Sequence, residues 1–235
     1  MAKTVVFSVA GVQTGPVCKI TNFDAQTFTK LGETRGGGTF TKTTDTLDIT
    51  SDQTNGIIAT VGTNATSTLV LNMTTELANS LKKVGTFSDT THIYDSSQIN
   101  YFNGSFRVDT RTGSNLDLFV LKIPNGQVDP SFELALTNDD STVIPVTIKC
   151  LEPEASTVTG IGWTNGSADI TKATSLVTEL TPGSTVTING KDYVVASIAS
   201  GGLTATLTEE VTAPTASDQS VTVIEPSWSI QYATA

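Results

Sequence analysis

Apolar and threonine-rich polar residues alternate along much of this chain, and this two-residue period constrains the fold more than any other feature. Residues 68–73 place apolar side chains at positions 69, 71 and 73, and residues 203–208 alternate in the same way. Successive side chains of a β-strand point to opposite faces, so this period is typical of half-buried strands. The 43 threonines and 21 serines supply hydroxyl groups that suit strand surfaces. The sequence therefore predicts a mainly β protein.

Charge and hydropathy exclude several classes of protein. The formal net charge is -10, and the densest basic cluster is the pair Lys82-Lys83, so charge-driven binding of nucleic acid is not expected. The longest apolar runs have the length of a strand, so no membrane-spanning helix is expected. The N-terminal residues lack the apolar core of a secretory signal, and we expect the mature chain to start near Met1.

One segment departs from the two-residue period. Residues 74–85 begin with two threonines, carry a glutamate in the first turn and leucine or valine on one face, and end with two lysines and a glycine. These are the start, face and stop signals of a helix. The segment predicts one short amphipathic α-helix from Glu76 to Val84.

Turn-forming residues mark the predicted strand ends. Asn103-Gly104 predicts a two-residue hairpin turn, and Pro124-Asn125-Gly126 predicts the end of an apolar strand. Asn189-Gly190 predicts a second tight hairpin, in which Val186 pairs with Tyr193 on the core side.

Residues 30–65 differ from the rest of the chain because they are rich in glycine and threonine and contain few large apolar residues. Such a segment is either a mobile loop or a long hairpin completed by a partner. We favour the hairpin, because alternation persists through residues 39–49, and we expect it to contact a neighbouring subunit. The residues predicted for this inter-subunit contact are Arg35, Gly36, Gly37, Gly38, Thr39, Phe40, Thr41, Asp45, Leu47 and Ile49.

The composition changes near residues 152–156, which predicts a domain boundary. Residues 1–153 carry 11 basic and 15 acidic side chains, whereas residues 154–235 carry 2 and 8, a net charge of -6 on a much shorter segment. We therefore predict a first β domain over residues 1–153 and a small β-barrel or immunoglobulin-like domain over residues 154–235.

The residue types needed for catalysis are scarce. His92 is the only histidine, and it has no nucleophile elbow beside it. Gly36-Gly37-Gly38 lacks the Lys-Ser/Thr pair of a phosphate-binding loop. Carboxylate pairs for glycoside hydrolysis stay open, because only the fold brings such pairs together. We predict that the protein is not an enzyme and has no catalytic residue and no cofactor.

The candidate metal ligands also have simpler interpretations. Asp139-Asp140 fits a plain turn better than a calcium loop, because regular oxygen-ligand spacing is missing. Cys18 and Cys150 are too few for a disulfide framework or a zinc site, so we expect ordinary thiols and no metal. Trp163 and Trp228 are expected in a core or an interface.

The first three-fifths of the chain resembles the tail tube proteins of long-tailed bacteriophages, over roughly residues 5–152. The resemblance rests on the Thr/Gly-rich hairpin near residues 35–60 and on the helix at residues 76–84. It also rests on the run from Phe119 to Leu136 and on the segment from Asp139 to Val146.

This resemblance implies a β-sandwich or barrel with one flanking helix and a long hairpin, whose subunits form hexameric rings. The rings would stack into the phage tail tube, through which DNA and the tape-measure protein pass without specific binding during genome ejection. An acidic lumen would suit that passage, because it repels phosphates. The implied location is the virion tail, assembled in the host cytoplasm, and a tail sheath or tail terminator is a further implied partner. No membrane contact is implied.

Residues 156–235 resemble the small β-modules appended to phage tail proteins, and the pattern lies at residues 182–195 and 203–207. Such a module would sit on the exterior of a tube. Two other classes stay open for the whole chain: another virion component, such as a capsid decoration or tail-completion protein, and a carbohydrate-active or carbohydrate-binding β-protein.

Overall fold

A computed structural model describes residues 2–32, 34–51, 56–73, 102–112, 116–128 and 144–232, and it is mainly β, as the sequence predicts. The strands before residue 151 are β1 (Ala2–Gly15), β2 (Thr29–Gly32), β3 (Thr34–Ser51), β4 (Gly56–Met73), β5 (Phe102–Thr112), β6 (Leu116–Val128) and β7 (Ile144–Cys150). A short 3-10 helix, Ile20–Ala25, lies between β1 and β2. The predicted helix at residues 76–84 lies outside the described residues, as do His92, Asp139-Asp140 and residues 132–136 of the run on which the resemblance rests.

Seven further strands follow residue 151. They are β8 (Ser156–Trp163), β9 (Asp169–Lys172), β10 (Thr185–Ile188), β11 (Lys191–Ile198), β12 (Thr204–Leu207), β13 (Ala216–Ile224) and β14 (Ser229–Tyr232). Within the described part of the chain, no helix has the length and apolar character needed to cross a bilayer.

The first sheet is antiparallel and follows the order β14-β6-β5-β1-β3-β4-β7, with β2 added beside β1. β7, the last strand in this order, also pairs with β6 at Gly126, Gln127 and Val128. The sheet therefore curls back on itself. One face of the curled sheet holds the core, as the alternation predicts: Leu69, Leu71 and Met73 of β4 are all buried. Among the residues whose burial is described, this core consists of Val12, Leu31, Phe40, Leu69, Leu71, Met73, Phe106, Val108, Leu121, Ile123, Val128, Val146 and Ile148.

The second unit is a closed six-stranded barrel in the order β10-β11-β12-β9-β8-β13. The predicted hairpin is confirmed here: Val186 pairs with Tyr193, and both are buried. The turn residues Asn189 and Gly190 have φ values of 51° and 81°, as a type I′ turn requires. The barrel encloses its own core, separate from that of the first sheet.

Two predicted turns are wrong. Asn103 and Gly104 lie inside β5 and pair with Gln127 and Gly126 of β6, so no hairpin turn forms at Asn103. The strand expected to stop at Pro124 continues to Val128. At Asn103 and Gly104 the ladder between β5 and β6 satisfies the backbone. The carbonyl oxygens of Pro124 and Asn125 instead accept hydrogen bonds from Cys18 N and Leu151 N. These long-range bonds outweigh the local turn preference.

The last strand returns to the first sheet. β14 pairs with β6, joining Ser229 to Lys122 and Tyr232 to Phe119. The sequence placed residues 154–235 in one unit, whereas the barrel strands run from Ser156 to Ile224 and the strand after them belongs to the other sheet. The barrel is thus inserted between β7 and β14.

Candidate functional site

Among the described elements, the antiparallel pair β3 and β4 is the longest. Each strand has 18 residues, and their pairing runs from Thr34 with Met73 to Ser51 with Gly56. This pairing confirms the long hairpin that the sequence favoured over a mobile loop.

The base of the hairpin and its outer part differ in their neighbours. β1 pairs with β3 at residues 38–43, and β7 pairs with β4 at residues 68–73. Beyond these ladders, residues 44–51 and 56–65 pair, among the described strands, only with each other. We call these two segments the distal hairpin. At about 3.4 Å per residue, the eight residues of its first strand extend roughly 27 Å past the sheet.

The ten predicted contact residues lie in three parts of the hairpin: the start of β3, the base and the distal hairpin. Gly38, Thr39, Phe40 and Thr41 lie in the base, with β1 on one side and β4 on the other. Phe40 is 4% exposed and packs edge-on against Trp228, with 4.9 Å between ring centroids. Phe40 is therefore a core residue, and its side chain cannot reach a neighbouring subunit.

The remaining six residues fall at the two ends of β3. Arg35, Gly36 and Gly37 oppose a single residue of β4, because the pairing jumps from Thr34 with Met73 to Gly38 with Leu71. Gly37 has a φ of 84°, so the glycine run forms a β-bulge at the entry to the strand. Asp45, Leu47 and Ile49 lie in the distal hairpin, where the prediction of an inter-subunit contact stays open.

A cleft of about 640 Å³ lies between the hairpin base and the barrel. On its sheet side it is lined by β3, β4 and Cys150, and on its barrel side by Gly183, Thr185 and the segment that leaves the barrel. In that segment, the indole Nε1 of Trp228 donates a hydrogen bond to Ser67 Oγ at 3.0 Å. Trp228 thus anchors the exit segment of the barrel on the first sheet. An interface is one of the two positions that the sequence predicts for this tryptophan.

Glu225 makes a second link between the barrel exit and the rest of the molecule. The residue is 5% exposed, and its two carboxylate oxygens accept hydrogen bonds from Ile20 N at 2.7 Å and Thr21 Oγ1 at 2.8 Å. A buried carboxylate requires such donors, and the first amides of a helix require acceptors. Glu225 therefore ties the barrel exit to the 3-10 helix after β1.

Both cysteines are free thiols, as the sequence indicated. Burial raises the pKa of Cys150 from 9.0 to about 12, so this thiol stays protonated at neutral pH. Burial also raises the pKa of Cys18, and the nearby Ser105 side chain opposes that rise. Neither thiol has the lowered pKa of a nucleophile.

The described part of the chain contains no group of three or more His, Cys, Asp or Glu side chains that could hold a metal ion. The cleft lining combines Lys42 and Asp45 with Glu152, Glu225 and Cys150. Glu225 already has both oxygens bound, and Cys150 is protonated. The cleft is thus a polar seam between two parts of the molecule.

Sequence reasoning missed the residues that join these parts. Glu225 and Ile20 are 205 positions apart, and no local pattern marks either as a partner. Trp228 carried a general signal, since a tryptophan in a polar segment usually reaches a core or an interface. No protein-family model matches the chain, and no curated protein sequence matches it either.

Proposed function

We propose that this protein is a structural virion component: the subunit that stacks as hexameric rings into a phage tail tube, the conduit for DNA ejection. In this proposal the protein has no catalytic role, and its main partner is a second copy of itself. The tape-measure protein and DNA pass through the lumen, and the barrel lies on the exterior.

The observation that carries the proposal is the distal hairpin. A two-stranded ribbon is at best marginally stable in water without a third strand or a packed face. The distal hairpin has open strand edges on both sides within the described structure. Such edges pair readily with another chain, so a hairpin of this length is suited to reach an adjacent subunit.

Charge supports the same proposal. Residues 1–153, which would form the wall of the tube, carry 11 basic and 15 acidic side chains, and this negative balance repels phosphates at short range, falling off over about 8 Å at physiological salt. A conduit for DNA needs a wall that does not bind the backbone. The charge balance favours passage of DNA over its retention.

The test is negative-stain electron microscopy of the purified protein across a concentration series, with a shortened variant beside it. In the variant, residues 46–63 are replaced by Asn-Gly, which joins the paired residues Asp45 and Asn64 by a two-residue turn. We expect rings or hollow filaments from the natural chain. The variant should unfold cooperatively on heating, as followed by circular dichroism, and remain a monomer.

Val177→Ala is the control, because it removes an exposed apolar side chain of the barrel and leaves the hairpin intact. It should assemble as the natural chain does. A monomer or a fixed small oligomer from the natural chain at every concentration would contradict the proposal and favour a capsid decoration or tail-completion protein. Normal filaments from the shortened variant would exclude a role of the distal hairpin in assembly.

A further inference from the structure

Two clefts on the barrel meet at one aromatic side chain. One has a volume of about 520 Å³ and the other about 400 Å³, and Trp163, Thr215 and Ala216 line both. Both clefts are shallow and open to solvent. Trp163 therefore lies between the two clefts, and it is distant in sequence from the hairpin.

The orientation of Trp163 is set by the barrel. Its indole Nε1 donates a hydrogen bond to Pro214 O at 2.8 Å, and part of the side chain packs against the barrel core. Its backbone pairs with Ala216 of β13 and Ile170 of β9. A ring held in this way presents a flat apolar surface at small entropic cost on binding.

The polar groups around this ring are mostly neutral. Of the described residues that line the two clefts, none is lysine, arginine or histidine, and Asp169 is the only carboxylate. Asp169 already accepts a hydrogen bond from Thr206 Oγ1 at 2.7 Å. The remaining polar side chains are hydroxyls and amides: Thr164, Ser167, Thr171, Thr215, Ser217, Asn189, Gln219 and Ser220.

The backbone beside the clefts is irregular. The pairing of β13 with β8 shifts twice, between Ala216 and Gln219 and between Gln219 and Val221. Within the first shift Asp218 adopts a φ of 55°, one of two positive values among the described residues other than glycine. Bulges and such residues cluster where a strand is shaped for a ligand, which makes this edge a candidate for binding.

We propose that the Trp163 clefts bind a neutral carbohydrate. The apolar face of a sugar ring would stack on the indole, and its hydroxyl groups would exchange hydrogen bonds with the threonine, serine and amide side chains on either side. With one carboxylate in the lining, the site binds sugar without cleaving it, since glycoside hydrolysis uses a pair. This site is independent of the proposed assembly.

The test is saturation-transfer difference NMR on the full chain, which observes the ligand and so works for a monomer or a filament. The probes are maltotriose, cellotriose and tri-N-acetylchitotriose, each alone, with a tetraproline peptide as a second class of ligand that stacks on tryptophan. We expect transfer to at least one trisaccharide and none to the peptide. Trp163→Ala should abolish that transfer.

A second variant guards against misfolding of Trp163→Ala. Gln219→Ala removes an exposed side chain in one cleft and should weaken sugar binding about fivefold, the effect of one lost hydrogen bond. Tyr232→Ala is the matched control, because it removes an exposed aromatic ring outside both clefts and should bind as the natural chain does.

Three results would overturn the proposal: no transfer to any of the three sugars, equal transfer in the natural chain and both cleft variants, or transfer to the peptide alone. None of these results bears on ring or filament formation, so the two proposals fail separately.

Discussion

At the scale of single residues, polar side chains connect parts of the chain that are distant in sequence. Glu225 accepts two hydrogen bonds from the helix after β1, and Trp228 donates one to β4. A hydrogen bond to a charged group contributes about 1.5–3 kcal/mol, and removing one partner leaves the other buried and unsatisfied. These two residues hold the barrel exit in place more specifically than apolar contact would.

Cys150 gives a pH prediction at this scale. Because burial raises its pKa from 9.0 to about 12, we expect its alkylation by iodoacetamide at pH 8 to be about 1,000-fold slower in the folded chain than in the urea-unfolded chain. The variant Cys18→Ser isolates the reaction, and mass spectrometry follows it. Equal rates in the folded and unfolded chains would contradict the prediction.

The raised pKa of Cys150 also makes the folded chain less stable at high pH. Below pH 9 the thiol is protonated in both states, so its contribution to the free energy of unfolding is fully present. As pH rises from 9 towards about 12, the unfolded chain ionises first, and this contribution is progressively lost.

At the scale of elements, β6 shows how packing decides where a strand ends. The sequence predicts that a strand ends at Gly126, yet Gly126 pairs with Gly104 of β5 and Cys150 of β7. A Cβ atom at Gly126 would lie 2.7 Å from Phe106 and 2.8 Å from Ile148. The glycine is required because two buried side chains close over it.

The variant Gly126→Ala tests this reading of β6. We expect it to lower the free energy of unfolding by about 1–3 kcal/mol, because the added methyl group overpacks the core. Gly11→Ala is the control in the same sheet, since a Cβ there meets nothing within 4 Å and should change stability by less than about 0.5 kcal/mol. Urea unfolding followed by tryptophan fluorescence measures both, and equal effects would show that Gly126 is not a packing position.

At the scale of the whole molecule, the barrel is an insertion whose two ends meet. Ser156 at its start pairs with Val223 near its end, so the chain leaves and re-enters at one place. Insertions with adjacent ends can be removed with little disturbance of the host domain. The host here includes β14, which follows the barrel in sequence.

This arrangement predicts different outcomes for two truncations. Replacing residues 157–222 by Asn-Gly keeps Glu225, Trp228 and β14, so the first sheet should fold. A chain that ends at residue 153 loses all three, exposes the edge of β6 at residues 119–122, and should be less stable by roughly 3 kcal/mol. Thermal unfolding followed by circular dichroism compares them. Equal melting temperatures would mean that the segment after the barrel does not stabilise the sheet.

Much of the fold could be predicted from local pattern. Alternation predicts the end of β4 at residues 68–73 and β12 at residues 203–208, and the Asn189-Gly190 turn gives its hairpin in the right register, because the residues that specify these features are neighbours. The candidate site was predictable in part. The sequence predicts the hairpin, but it places Phe40 in the contact surface, since the Trp228 ring that packs on Phe40 comes from the other end of the chain.

By itself, the sequence determined that the protein is rich in strands and which face of an alternating strand is apolar. It also determined a turn where the strands on both sides alternate in matching register. These features depend on interactions between residues a few positions apart. Tertiary structure alone decided that β6 continues through Gly126, that β14 returns to the first sheet and that Glu225 meets Ile20. It also placed Trp163 between two clefts. Each of these features depends on contacts between residues that are far apart in sequence. No local sequence pattern predicts which of those residues will be in contact.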